Sequence, residues 1–152
     1  MVGSMMMAIS CHCHTHSTQA SYPTECEYLN NDLDGSITLR AYGQGRNRGD
    51  ALAQARKNAV KQVIFEGIYV PNNDALSRPL VYEVNAYTKY EDFFNAFFRD
   101  GGDYTMFVHG RDKRIQTNEK SWSGTQAKIS TTVTVERALL KQYLKEQNII
   151  KE

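Results

Sequence analysis

Small residues mark the contact between a predicted strand and a predicted helix, and this feature constrains the fold most. Residues 37–42 alternate apolar and polar side chains, as in a strand with one buried face, and Gly43 and Gly45 are expected to end that strand. Alanines then recur at every fourth position from Ala51 to Ala59. A helix with such a stripe can lie close against a sheet. The sequence therefore predicts a helix packed tightly on a sheet.

This first helix has predicted ends. Asp50 is a suitable N-cap, and Gly67 a suitable stop, because a carboxylate accepts from free amides and glycine tolerates the left-handed conformation. Its apolar stripe also includes Leu52, Val60, Val63 and Ile64. Residues 68–81 contain two prolines and two adjacent asparagines, so they are predicted to form a connection.

A second predicted helix carries an aromatic face. Asn85 is placed to cap it, and Gly101 follows its end. The aromatic residues at helical spacing are Tyr90, Phe93, Phe94, Phe97 and Phe98. Such a face is either core or an exposed docking surface. Core is favoured, because a domain of this size has few other large apolar residues to fill its interior.

The remaining elements set the fold class. Residues 104–109 and 127–136 are predicted strands, and 111–124 are a long hairpin loop or an irregular edge strand. A last helix follows, with Asn148 suited to the left-handed position after it and Ile149 to the accompanying apolar contact. The order strand, helix, helix, strand, optional strand, strand, helix predicts an α+β fold, with helices packed on a small, mostly antiparallel sheet of three to four strands.

Residues 1–35 differ in composition from the rest of the chain. We therefore divide the chain into a tail at 1–35, predicted to be disordered, and a single α+β domain at 36–152. Residues 8–11 (Ala-Ile-Ser-Cys) resemble a bacterial lipobox, in which the cysteine is lipidated, although Ala8 replaces the usual leucine. No Lys or Arg precedes Arg40, so the secretory signal is incomplete. The alternative to a lipid anchor at Cys11 is an ordinary cytoplasmic tail.

The same tail holds a cluster of soft metal ligands. These are Cys11, His12, Cys13, His14 and His16. Structural zinc sites separate their ligand pairs by a dozen or more residues, so a His-rich tail that binds metal adventitiously is the simpler interpretation. If Cys11 is lipidated, Cys13 and Cys26 remain as a pair able to form a disulfide in an oxidising compartment.

A glycine-rich stretch at 43–50 is the strongest chemical signal. Its backbone amides and two arginines suit an anion or nucleotide at a helix N-terminus. The candidate residues are Gly43, Gly45, Arg46, Arg48 and Gly49. The spacing is not that of a dinucleotide fingerprint or a P-loop, and Asp50 would oppose a phosphate. The alternative is that the glycines only form a tight turn.

The small net charge and the lack of a catalytic motif argue against several functions. Eighteen Lys plus Arg against seventeen Asp plus Glu leave a charge of +1, so no nucleic-acid partner is predicted. No apolar stretch is long enough to span a membrane. His109 is the one histidine outside the tail, with Asp103 or Asp112 as an orienting group, and no nucleophile motif accompanies it. We predict no catalytic residue and no cofactor.

Two stretches carry a family resemblance. Residues 36–45 (Ser-Ile-Thr-Leu-Arg-Ala-Tyr-Gly-Gln-Gly) and 50–60 (Asp-Ala-Leu-Ala-Gln-Ala-Arg-Lys-Asn-Ala-Val) are similar to small bacterial envelope proteins of the LPP-twenty lipoprotein type and to the N-terminal domain of the flagellar assembly protein T. The Phe-rich second helix resembles uncharacterised secreted or lipidated proteins of Bacteroides relatives. The resemblance implies an outer-membrane lipoprotein or periplasmic protein that binds envelope proteins or itself, without enzymatic activity, and touches the membrane through its lipid anchor alone.

The alternative function is a small-molecule, anion or nucleotide-binding domain that uses the glycine-rich stretch, and the alternative location is the cytoplasm. The two functions predict different surfaces. An assembly module needs an exposed apolar patch, whereas a small-molecule binder needs a concave site with convergent polar groups.

Overall fold

The computed structural model describes residues 26–110 and 127–150. Within these residues, four strands form one antiparallel sheet in the order β1-β2-β4-β3. The strands are β1 (Glu27–Asn31), β2 (Ile37–Gly45), β3 (Val108–Gly110) and β4 (Ala127–Val135). The predicted α+β class and the antiparallel sheet are confirmed.

The helices of the described residues follow β2 and β4. They are α1 (Arg48–Lys61), α2 (Asp74–Ser77), α3 (Ala86–Lys89), α4 (Glu91–Phe97) and α5 (Arg137–Glu146). A π-helical turn (Gln62–Glu66) continues α1, and a 3-10 turn (Asp103–Met106) precedes β3. Gly67, with a positive φ of 80°, ends the first helical segment, as predicted.

The sheet has one buried and one polar face. On the inner face, Leu39 and Ala41 of β2 and Val133 and Val135 of β4 are buried beneath the helical layer. The outer face carries Arg40, Tyr42, Ser130, Thr132 and Thr134. Alternation in β2 and β4 matches this division, since neighbouring side chains of a strand point to opposite faces. The molecule is thus a two-layer sandwich of helices on a sheet.

Part of the predicted tail is a strand. Residues Glu27–Asn31 form β1, which pairs antiparallel with β2 and is bulged between Tyr28 and Asn30. The predicted domain boundary at residue 36 is therefore wrong, because the folded unit includes Cys26 and β1. This edge strand is exposed along most of its length, so it lacks the alternation that identified β2.

The approach from β2 to α1 also differs from the prediction. β2 continues through Gly45, so Gly43 and Gly45 lie inside the strand and pair with β4. Asn47, not Asp50, is the N-cap: its side-chain Oδ1 accepts from the backbone N–H of Asp50 at 2.9 Å. Asn and Asp are equally good N-caps. Because β2 ends at Gly45, the helix begins early enough for Asn47 to be the capping residue.

The second helix is interrupted. Asn85 is left-handed (φ 63°) and makes no side-chain cap, and the backbone at Tyr90 (φ −114°, ψ 39°) separates α3 from α4. Phe94, Phe97 and Phe98 are nonetheless buried. Core is thus the correct interpretation of the aromatic face, although the helix is two short pieces.

The strand predicted at 104–109 is mostly wrong. Its first half is the 3-10 turn, and only Val108–Gly110 pair with β4. The buried rings of Tyr104 and Phe107 belong to the aromatic layer, where a turn places both inward. The strand predicted at 127–136 and the last helix are confirmed, as is the left-handed Asn148 (φ 57°) with a buried Ile149. The optional strand within 111–124 lies outside the described residues.

Candidate functional site

The two glycines of the predicted anion site serve packing. A Cβ on Gly43 would lie 2.1 Å from the carbonyl oxygen of Ala51 and 2.5 Å from the backbone nitrogen of Ala55. A Cβ on Gly45 would lie 2.6 Å from the backbone nitrogen of Ala51. These distances are far below van der Waals contact, so both glycines are required for α1 to lie on β2.

The remaining residues of that candidate site lie where α1 begins and is capped. The side chain of Asn47 accepts the hydrogen bond of the Asp50 backbone N–H. Arg46 Nε forms an ion pair with Asp50 Oδ2 at 3.4 Å. Arg48 and Gly49 are exposed in the first turn of α1. The structure therefore places Arg46, Arg48 and Gly49 at the N-terminal end of α1, and anion binding there stays a prediction.

The candidate general base is on a surface strand. His109 is exposed in the edge strand β3, opposite Thr134. Asp103 accepts a 2.7 Å hydrogen bond from the hydroxyl of Tyr143, and Asp112 lies outside the described residues. In residues 26–110 and 127–150, no group of three His, Cys, Asp or Glu side chains is arranged to hold a metal ion. No catalytic geometry is built around His109 by the residues described.

Cys26 immediately precedes β1 and lies in the core. Its backbone N–H donates to Gln62 Oε1 at 2.6 Å, and its side chain is buried. Burial, together with the nearby charge of Glu66, raises the pKa of the thiol to about 12. The thiol is therefore neutral and inert near pH 7. Its partner in the predicted disulfide, Cys13, lies outside the described residues, as does the cluster Cys11, His12, Cys13, His14 and His16.

Sequence reasoning missed an apolar cleft that is lined by described residues. It has a volume of about 250 Å³. Its lining residues are Leu80, Val81, Tyr82, Glu83, Ile149 and Ile150. One wall is the segment that follows Pro79, and the other is the chain after α5. We call it the 80–150 cleft.

Backbone hydrogen bonds fix both walls of the 80–150 cleft. The N–H groups of Leu80 and Val81 donate to the carbonyls of Val63 and Ile64 at 3.1 and 2.9 Å, which ties the first wall to the π-helical turn. On the second wall, the N–H of Ile149 donates to Leu144 at 2.9 Å, after Asn148 reverses the chain. Each wall is therefore anchored to a core element, and the cleft is preformed.

The rim of the 80–150 cleft is apolar and exposed. Tyr82 is 68% exposed, and Val84, immediately after the lining segment, is 84% exposed. The charged lining residue, Glu83, forms an ion pair with Lys89. Exposed apolar side chains beside an apolar depression are typical of protein-binding surfaces.

One sequence signal for this surface existed. The run Leu-Val-Tyr-Glu-Val at 80–84 is apolar at four of five positions, yet it begins in the predicted connection at 68–81 and has no helical period. The Ile149 and Ile150 wall is distant in sequence and is joined to it by the fold alone.

Comparisons with known proteins give no relative. No family model matches the sequence, and neither curated proteins nor solved structures contain a match. Among the residues that the structure describes, no helix has the length and apolar character needed to cross a bilayer. The fold and the surface are therefore the physical basis for inferring function.

Proposed function

We propose that this chain is a non-enzymatic binding or assembly module of the bacterial cell envelope, tethered to the membrane through a lipid on Cys11. The observation that carries the binding role is the preformed 80–150 cleft, with Tyr82 and Val84 exposed at its rim. Burying such side chains against a partner removes apolar surface from water, which is the main driving force of protein association.

The chemistry of the cleft favours a protein partner over a small polar ligand. Its walls are aliphatic apart from Tyr82 and Glu83, and Glu83 is already paired with Lys89. A small polar ligand is normally oriented by several convergent polar groups. An apolar cleft with an apolar rim suits the side chains of another protein surface.

Support for the envelope location comes from sequence. The Ala-Ile-Ser-Cys stretch at 8–11 resembles a lipobox, and residues 36–60 are similar to envelope lipoproteins. Lipidation at a lipobox attaches a diacylglyceryl group to the cysteine thiol, and its two acyl chains are enough for stable anchoring in a membrane.

Site-specific photocrosslinking tests the binding role. A photoreactive phenylalanine analogue is placed at Val84 and, as the matched control, at Leu139, which is 56% exposed at the other end of α5. In producing cells, we expect a crosslinked species from position 84 and none from position 139. Absence of any crosslink from position 84, or equal crosslinking from both positions, contradicts docking in the 80–150 cleft.

The location is tested by fractionation and the mass of the mature N-terminus, with the upstream in-frame sequence restored. We expect a lipid-modified Cys11 in the membrane fraction, and loss of the modification in Cys11→Ala. An unmodified Met1 in the cytosol contradicts the envelope assignment and leaves the crosslinking result to stand by itself.

A further inference from the structure

We propose that the protein segment bound at the 80–150 cleft is acidic, and that its carboxylates pair with Arg78 and Arg137 while an apolar side chain enters the cleft. This inference rests on the proposed binding function and names the chemistry of the partner. Its starting point is that the two arginines border one small surface depression, together with Gly67 and Ile68.

Both arginines lie close to the first wall of the cleft. Arg78 is exposed and precedes the lining residue Leu80 by two positions, a span of at most about 7 Å. Arg137 is the first residue of α5, and its Nη2 donates to the carbonyl oxygens of Ala75 and Arg78 at 3.1 and 2.9 Å. A segment bound in the cleft therefore has both guanidinium groups within reach of its side chains.

Neither guanidinium is neutralised by the residues that the structure describes. Within residues 26–110 and 127–150, no ion pair includes Arg78 or Arg137, and the neighbouring Glu136 forms none with them. Burial lowers the pKa of Arg137, and the opposing contribution comes from Tyr82, a lining residue of the cleft, instead of from a carboxylate. Arginine stays charged at neutral pH all the same. The edge of the cleft thus carries positive charge that a partner can compensate.

The chemistry of this edge selects carboxylates. The carbonyl oxygens that bind Arg137 are neutral acceptors, so they leave the charge of the guanidinium and its other N–H groups available. A guanidinium binds a carboxylate through charge-assisted hydrogen bonds, which are stronger than neutral ones. Glu83, the acidic lining residue, is already paired with Lys89. An acidic segment with apolar side chains is therefore complementary both to the walls of the cleft and to its charged edge.

Photocrosslinking from position 84, in cells that produce the full chain, tests the inference. We expect Arg78→Glu to lower the crosslink yield roughly tenfold, because the carboxylates of the partner then meet a like charge. The matched control is Arg48→Glu, an equal charge change at the start of α1. Position 48 is roughly 20 Å along the helix from Val63, which holds the first wall, and this exceeds the screening length. The control should leave the yield within about twofold. Both arginines are exposed, and circular dichroism checks that each variant is folded.

Mass spectrometry of the crosslinked peptide gives a second readout. We expect Asp or Glu within a few residues of the attachment point. An unchanged yield in Arg78→Glu, or a crosslinked peptide without acidic residues, overturns the acidic partner and leaves the binding role standing. If position 84 gives no crosslink in the parent chain, the proposed function and this inference fail together.

A vesicle assay distinguishes a protein segment from a lipid headgroup. The purified Cys11→Ala chain, which has no site for the lipid anchor, is mixed with phosphatidylglycerol vesicles and sedimented. We expect it to stay in the supernatant. Sedimentation with the vesicles that Arg78→Glu abolishes would assign the two arginines to anionic headgroups and overturn the acidic protein partner.

Discussion

Two regions of the core are filled in opposite ways. Where α1 lies on β2, the contact is made by Gly43 and Gly45 against Ala51 and Ala55, and backbone lies on backbone. In the layer formed by α3, α4, the 3-10 turn and α5, the space is filled by rings. These rings are Phe65, Tyr87, Phe93, Phe94, Phe97, Phe98, Tyr104, Phe107 and Tyr143.

The two regions differ in how far their atoms can move to accommodate a substitution. A contact between backbones has no side chain that can move to accept an added atom. Rings can tilt or change rotamer, and the observed pairs range from stacked (Tyr87–Phe94, 12°) to edge-on (Phe97–Phe98, 85°). The first region should therefore respond to substitution abruptly, and the second in proportion to the volume removed.

The largest expected effect is that of Gly43→Val. Its Cβ would overlap backbone atoms of Ala51 and Ala55, so α1 must leave the sheet. We expect the cooperative thermal unfolding transition, followed by circular dichroism, to be lost. The control is Gly110→Val, also in a strand, where the nearest described atom to the added Cβ belongs to the flexible Arg56 guanidinium, at 3.3 Å. A cooperative transition in Gly43→Val would show that α1 adjusts and that the proposed contrast is wrong.

Removal of one ring tests the second region. Phe94 is fully buried and contacts Phe65, Tyr87 and Phe98. We expect Phe94→Ala to lower the free energy of unfolding by about 3 to 5 kcal/mol, measured by chemical denaturation, because the cavity is refilled only in part. Phe94→Leu keeps most of the volume and should cost less than half as much. Equal losses for both variants would mean that ring geometry, not volume, stabilises this layer.

The difference between these two regions also explains why one was predicted from the sequence in more detail than the other. The alternation of β2 and the alanine repeat of α1 are local patterns with one structural solution, and both predictions agree with the structure. The helical spacing of the aromatic residues correctly predicts their burial. It does not predict the break at Tyr90 or the 3-10 turn before β3, because rings enter one layer from several backbone conformations.

Long-range features had no local signal. β1 is held by pairing to β2 and by the bond from Cys26 to Gln62, which a pattern within β1 does not reveal. The 80–150 cleft joins two segments that are separated by the whole of β3, β4 and α5. Candidate binding surfaces of this kind follow from topology, whereas the glycines at 43 and 45 attracted a functional interpretation for what is a packing requirement.

The smallest expected effect concerns a hydrogen bond at the edge of the aromatic layer. Burial, and then the bond to Asp103, raise the pKa of Tyr143 from its usual value near 10 to about 12. The fold thus favours the neutral phenol. The resulting stabilisation is fully present below pH 10, the pKa of the unfolded chain, and is lost as the pH rises through about 12.

Tyr143→Phe isolates this contribution. The free energy of unfolding of the parent should decline more steeply than that of the variant between about pH 10 and 12, because the variant has no phenol to ionise. Cys26, whose thiol pKa is also raised to about 12, is present in both proteins and cancels in the difference. Since Tyr143 packs on Phe93, Phe97 and Phe107, and phenylalanine keeps those ring contacts, the two proteins should differ by less than about 1.5 kcal/mol at neutral pH. Parallel pH curves would show that the hydroxyl is solvated in the fold, and that the ring alone contributes to this layer.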